Sequence, residues 1–148
     1  MSSPPVLPRP CETPPEMIEA LGATPRECFR AMDHMAVFET EDDITKIQPD
    51  FRRLKNLDLR GLIITAPGKT TDFVSRFFAP NCGIDEDPAT GSAQCTLAPY
   101  WAKRLGKTAL TNRQLSKRMG GFRCRVDGDR VFISGATVTY LEGTIEIE

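Results

Sequence analysis

Apolar positions recur along this chain in two periods, and the switches between them divide it into elements. Gly61-Leu62-Ile63-Ile64-Thr65-Ala66 is a continuous run rich in β-branched residues, closed by Pro67-Gly68. It predicts a strand buried on both faces and then a turn. Asp72 to Phe78 alternates enough to be its neighbour, and Cys28 to Met32 and Met35 to Glu39 alternate about a turn at Asp33-His34. From Gly91-Ser92 the period becomes helical. Leu97, Trp101 and Leu105 fall four residues apart on one stripe, which Ala93, Ala98 and Ala102 widen. That helix should end on Lys103 and Arg104, cations at its negative end, with Gly106 as C-cap. Further strands are expected over 113–117, 122–126, 129–134 and 136–147, with Asp127-Gly128 as a hairpin turn.

The opening of the chain reads differently. Its first ten residues hold four prolines, so residues 1–12 should run extended as a crossing segment, leaving 13–148 as a single domain. Thr13-Pro14-Pro15-Glu16 has the form of a capping box for a short helix to Leu21, stopped by Gly22. Asp42 and Asp43 suit a second short helix, and Pro49-Asp50 opens a third through Leu54. Together these elements predict an α+β fold, a mostly antiparallel or mixed sheet wrapped around one central apolar helix.

Composition narrows the partners. With 19 basic and 20 acidic residues in 148, and no basic block, nothing invites a nucleic acid or an anionic membrane. The longest apolar stretches fall far short of the roughly 20 residues that span a bilayer, and no charged-then-apolar signal segment opens the chain. Five cysteines without a C-x-x-C pair, and one histidine, argue against a structural metal or a disulfide scaffold. The expectation is a reduced, cytoplasmic protein without a structural metal.

Chemistry concentrates at one place. Asp85, Glu86 and Asp87 come just before the long helix, and Thr90-Gly91-Ser92-Ala93 supplies small residues and backbone amides at its start. Those amides and the positive end of the helix dipole can hold a carboxylate, and Gly91 allows close approach. An acid beside an anion cradle suits proton transfer next to a substrate carboxylate. The same residues also make an ordinary helix cap, with Pro88 as a turn former.

The run Ser75-Arg76-Phe77-Phe78-Ala79-Pro80, then Gly83-Ile84-Asp85-Glu86-Asp87-Pro88-Ala89-Thr90-Gly91-Ser92-Ala93, resembles the PhzF-like family (phenazine-biosynthesis PhzF and relatives). The resemblance continues through Arg60 to Ala66, Gln114-Leu115-Ser116, Gly120-Gly121, Val131 to Gly135 and Leu141-Glu142-Gly143. It implies a diaminopimelate-epimerase-like fold of two similar halves, each a sheet around a helix, with a cofactor-free active site between them. This chain corresponds to the C-terminal half. The resemblance places the acid of that half on Asp87 and its serine on Ser92 as catalytic residues. Thr90, Gly91, Ser92, Ala93 and Gln94 then line the substrate's carboxylate. Gln94 stands where members often carry a histidine, and Arg118-Met119-Gly120-Gly121 where they carry Arg-Gly-Gly.

The family's principal glutamate, its Gly-Asn-Pro segment and a histidine belong to the other half and have no counterpart here. The implied function is an isomerase or epimerase-type proton transfer on a small carboxylate-bearing metabolite. The missing half would come from a separate chain or from a homodimer. The alternatives are a non-catalytic module that binds a ligand or a protein, and a piece of a longer enzyme. Elsewhere, His34 reads as a turn residue, Cys82 as an incidental loop thiol, Cys95 and Trp101 as core, and Arg76 as a structural ion-pair partner of the acidic run.

Overall fold

The computed structural model describes residues 1–146. One mixed sheet contains β1 (Ser2–Ser3), β2 (Arg9–Pro10), β3 (Glu27–Arg30), β4 (His34–Val37), β5 (Leu62–Pro67), β6 (Phe73–Ala79), β7 (Ile84–Glu86), β8 (Ala109–Gln114), β9 (Gly120–Asp127) and β10 (Arg130–Ser134). The order is β1-β10-β9-β8-β6-β5-β4-β3-β2, with β7 added beside β6. β4 with β5 and β6 with β8 run parallel. The other pairs are antiparallel. The helices are α1 (Pro15–Leu21), α2 (Glu41–Lys46), α3 (Phe51–Lys55) and α4 (Gln94–Leu105).

Strand alternation sorts the side chains onto two faces. Ala36, Phe38, Leu62, Ile64, Ala66, Val74 and Phe78 pack with Met17, Leu21, Ile44 and Leu54 from α1–α3 and their flanks. Met35, Val37, Ile63, Phe73 and Phe77 pack on Leu97, Ala98 and Trp101 of α4. Leu110, Cys124, Val131 and Ile133 extend that second core as the sheet curls around α4. β5 is therefore covered on both faces, as its unbroken apolar run predicts. Trp101 is core: its ring stacks on Phe73 at 5.6 Å, and its Nε1 donates to Thr65 Oγ1 at 3.0 Å.

Inside α4, Pro99 has no N–H to offer the Cys95 carbonyl one turn earlier. The amide of Val6 takes that carbonyl at 2.9 Å. β1 pairs with β10, and β2 pairs with β3 at the opposite end of the sheet. The proline-rich opening is thus an extended strap that joins both ends of the sheet across α4.

Several boundaries differ from expectation. Pro14 is the N-cap of α1, so Thr13 makes no capping box. The box forms instead at Thr40, whose hydroxyl accepts from Asp43 N while Asp43 accepts from Thr40 N. Asp50 caps α3 as expected, and Gly22 and Gly106 end α1 and α4 in the left-handed conformation. Leu105 is 41% exposed in the last turn of α4 and adds nothing to the buried stripe. β8 lies earlier than the strand expected at 113–117, because after Leu115 the chain turns through Met119, whose φ is 57°. Residues 136–146 form no strand; their alternating side chains find no strand to pair with among the described residues. Ile147, the end of that expected strand, lies outside the described residues.

Candidate active site

After β6 the chain turns through Pro80–Cys82 and Gly83 (φ 84°) into β7, which doubles back along β6. This places Asp87, whose amide donates to Phe77 O at 3.0 Å. Of the three acids, Glu86 is already engaged. Arg76 donates to its two oxygens at 2.7 and 3.1 Å and to the carbonyls of Ile44 and Ile47. That is the ion pair expected of Arg76. Asp85 is exposed, whereas Asp87 is half-buried at the mouth of the turn that starts α4.

Interior side chains hold the Asp87 carboxylate. Thr90 Oγ1 donates to Asp87 Oδ2 at 2.6 Å. Gln114 Oε1 accepts from Thr90 N at 2.8 Å, which fixes the orientation of the Gln114 amide, since an N–H cannot accept. Gln114 Nε2 therefore faces Asp87 O at 2.7 Å and Thr90 Oγ1 at 3.1 Å. A hydroxyl that receives this donation has its one proton left for Asp87. Asp87 Oδ1 has no partner among the described residues. Ser116 Oγ secures the same loop by donating to Pro88 O at 2.8 Å, and a Cβ on Gly120 would come within 3.0 Å of Ala89.

The turn itself is tighter than a regular helix start. The amides of Gln94, Cys95 and Thr96 each reach back three residues, to the carbonyls of Gly91, Ser92 and Ala93, all at 3.1 Å. The amides of Gly91, Ser92 and Ala93 donate to no acceptor among the described residues. Regular helix begins at Gln94, and Ser92 caps nothing. Its side chain is exposed and unbonded among the described residues. The site thus has two parts, a carboxylate fixed from inside and three unbonded N–H groups, at half-buried Gly91, exposed Ser92 and buried Ala93, with a free hydroxyl beside them.

Two of the expected substrate contacts turn their side chains inward. Gln94 is fully buried: Nε2 donates to Thr90 O at 3.4 Å, and Oε1 accepts from Asn112 Nδ2 at 3.0 Å. Thr90 is also buried, with its amide and hydroxyl both turned inward. Both side chains are engaged in hydrogen bonds inside the protein. Sequence reasoning missed Asn112, and it quoted Gln114 and Ser116 without giving them a role. The available signal was the polar alternation at 112, 114 and 116, which continues past the apolar inward position Leu110 of β8.

The remaining candidates lie apart from this loop. His34 is in β4, beyond the turn expected to hold it, and burial together with Arg30 pushes its ring below the usual histidine value. Cys82 is exposed, with Sγ 3.6 Å from Arg60 O, and Cys95 is buried core. Among the described residues no group of His, Cys, Asp and Glu is arranged to hold a metal. Among the same residues no helix is long and apolar enough to cross a membrane.

Known proteins resemble this chain over most of its length. Residues 22–143 match the PhzC-PhzF family, described as phenazine biosynthesis-like protein. A protein of Pseudomonas aeruginosa named as an uncharacterized isomerase is 47% identical over 147 residues, covering 99% of this chain and 57% of that protein. A similarly named protein of Halalkalibacterium halodurans is 38% identical over 135 residues, 89% of this chain and 51% of its own length. Among solved structures, a PhzF-family protein of Enterococcus faecalis superposes with a TM-score of 0.89 at 44% identity, covering 91% of this chain and 52% of that one. The chain spans about half the length of the relatives it matches. With its sheet wrapped around α4 in the diaminopimelate-epimerase-like manner, this chain belongs to the phenazine biosynthesis-like PhzC-PhzF family.

Proposed function

We propose that this chain forms one side of the active-site cleft of an isomerase that moves a proton on a small carboxylate-bearing metabolite without a cofactor. One observation carries the reading: a carboxylate oxygen, Asp87 Oδ1, stands free in the same short loop as the unbonded amides of Gly91, Ser92 and Ala93. The amides, the positive end of α4 and the Ser92 hydroxyl suit the substrate carboxylate. Asp87 is then the group that hydrogen-bonds the reacting part of the substrate or shares its proton. The names of the relatives as isomerases support the reaction class. The other side of the cleft is either a second copy of the chain, which brings its own Asp87 opposite, or a separate half that carries the principal acid/base. The exposed Met119 and the apolar residues of 136–146 favour such an association.

The test is solvent deuterium incorporation into amino and hydroxy acids, aromatic ones first, with self-association followed by sedimentation. Wild type should label one acid at its carbon-bound position, and Asp87→Asn should lower the rate on the order of a hundredfold or more. A folded, self-associated chain that labels none would overturn the catalytic reading for this form. Binding of an acid without labelling would leave a ligand-binding module in its place.

A further inference from the structure

Cys11 and Cys28 face each other where the strap meets the sheet. The pairing of Arg9 with Arg30 and Pro10 with Phe29 sets them opposite one another, and Cys11 N donates to Cys28 O at 3.0 Å. Their sulfurs are 3.4 Å apart and both thiols are free. A disulfide needs about 2.05 Å, so the sulfurs must close by roughly 1.3 Å, within reach of side-chain rotation. Beside Cys11 lies a groove of about 410 Å³ lined by Leu7, Arg9, Pro10, Cys11, Arg30 and Ala31. Neither arginine has an ion-pair partner among the described residues, and no acidic residue lines the groove.

We propose that Cys11 is a thiol–disulfide exchange site for anionic low-molecular-weight disulfides, with Cys28 as its resolving partner. The Cys11 thiolate attacks one sulfur of the small disulfide RSSR. A Cys11–S bond forms, the S–S bond breaks, and RS⁻ leaves to take up the proton Cys11 lost. Cys28 then attacks the Cys11 sulfur and releases the second RS⁻, which takes the Cys28 proton. Two protein thiols and RSSR become one protein disulfide and two RSH, so two electrons pass to the small molecule. Arg9 and Arg30 hold the carboxylates of the incoming disulfide.

The other three cysteines lack one part of this device. Cys82 is exposed but stands alone, while Cys95 and Cys124 are buried away from an incoming disulfide. Burial, and then the hydrogen bond and charge of Cys11, push Cys28 up to about 12; the Thr13 hydroxyl and the Phe29 amide work in the opposite direction. Once Cys11 is bound in a mixed disulfide its share of that shift is gone. The bond fastens the strap at its far end. Val6 already ties the strap to the Cys95 carbonyl, and the Met1 side chain reaches within 3.6 Å of the position a Cβ on Gly91 would take. The exchange site thus bears on the segment that lies against the carboxylate-binding turn, and it stands whether or not that turn is catalytic.

The experiment uses the full chain with Cys82→Ser, reduced and then exposed to oxidised glutathione or to the cationic disulfide cystamine. Samples are quenched in acid and mapped by mass spectrometry. Each rate is divided by that of the urea-unfolded chain, which removes the intrinsic reactivity of the reagent. A mixed disulfide at Cys11 should appear first and a Cys11–Cys28 disulfide second. The normalised rate should be on the order of fivefold higher for glutathione disulfide, and equal for the two reagents after Arg9→Ser and Arg30→Ser together. Cys28→Ser should stop at the mixed disulfide, and oxidation should slow exchange of the Val6 amide on the order of tenfold. A folded chain that keeps Cys28 reduced beside a modified Cys11, that prefers cystamine, or that reacts at Cys95 or Cys124 before Cys11 overturns the proposal.

Discussion

The two faces of the sheet are built from different materials. Between the sheet and α1–α3 the contacts are apolar, with Arg76 at the margin. On the α4 face, Thr65, Ser75, Gln94, Asn112 and Gln114 are buried among the hydrophobic side chains. They are joined: Ser75 bonds Asn112, Asn112 bonds Gln94, Gln94 reaches Thr90, and Gln114 holds Thr90 and Asp87. Buried amides cost free energy unless every donor and acceptor is met, and once met they select one arrangement. This chain of bonds ends on the Asp87–Ala93 loop. One face supplies stability, and the other uses part of its stability to position a loop.

That contrast makes opposite demands on mutation. Phe78→Ala empties a fully buried site on the α1–α3 face, where Phe51 meets Phe78 edge-on at 5.9 Å. It should cost about 3–5 kcal/mol in urea unfolding while leaving the amide signals of the Asp87–Ala93 loop in place. Gln94→Leu keeps the volume on the other face but leaves Asn112 with an unmet donor. About 2–3 kcal/mol should be lost and the loop signals should move. Adding Asn112→Leu should recover part of that loss, whereas additive costs would mean the polar chain is no more than packing.

A smaller, pH-dependent effect sits where β6 meets β8. Burial raises the Asp72 carboxyl, but hydrogen bonds from Lys107 and from the Thr111 amide and hydroxyl outweigh it and hold the group below its ordinary 3.8. A depressed folded value stabilises above the unfolded pKa, and that stability disappears as pH falls through the folded value. The gap in urea midpoint between wild type and Asp72→Asn should be largest near neutral pH and should narrow as the pH falls below 3.8.

The main outline was legible in the sequence because its signals are strong. The unbroken run of β5, the four-residue stripe of α4 and the glycines after α1 and α4 each have one physical meaning. The strap's pairing to both ends of the sheet was not legible, since it depends on Pro99 leaving a carbonyl for Val6, a contact between residues far apart in sequence. The site was read in part. Asp87 and Ser92 stand where the motif puts them, while Gln94 and Thr90 face inward. Helical spacing places a residue at a turn but leaves open which way its side chain leaves the backbone. The alternation over 136–147 predicted a strand, and over its described part, 136–146, it finds no neighbour.

The central claim is that the Gly91, Ser92 and Ala93 amides receive a carboxylate beside Asp87. Titrating a small aromatic acid into isotope-labelled chain and following the backbone amides by NMR tests it directly. The account predicts saturable shifts greatest at residues 91, 92 and 93, with weaker binding in Asp87→Asn if the acid carries a hydroxyl or amino group for Asp87 to contact. Saturable shifts elsewhere, with those three amides unmoved, would contradict it.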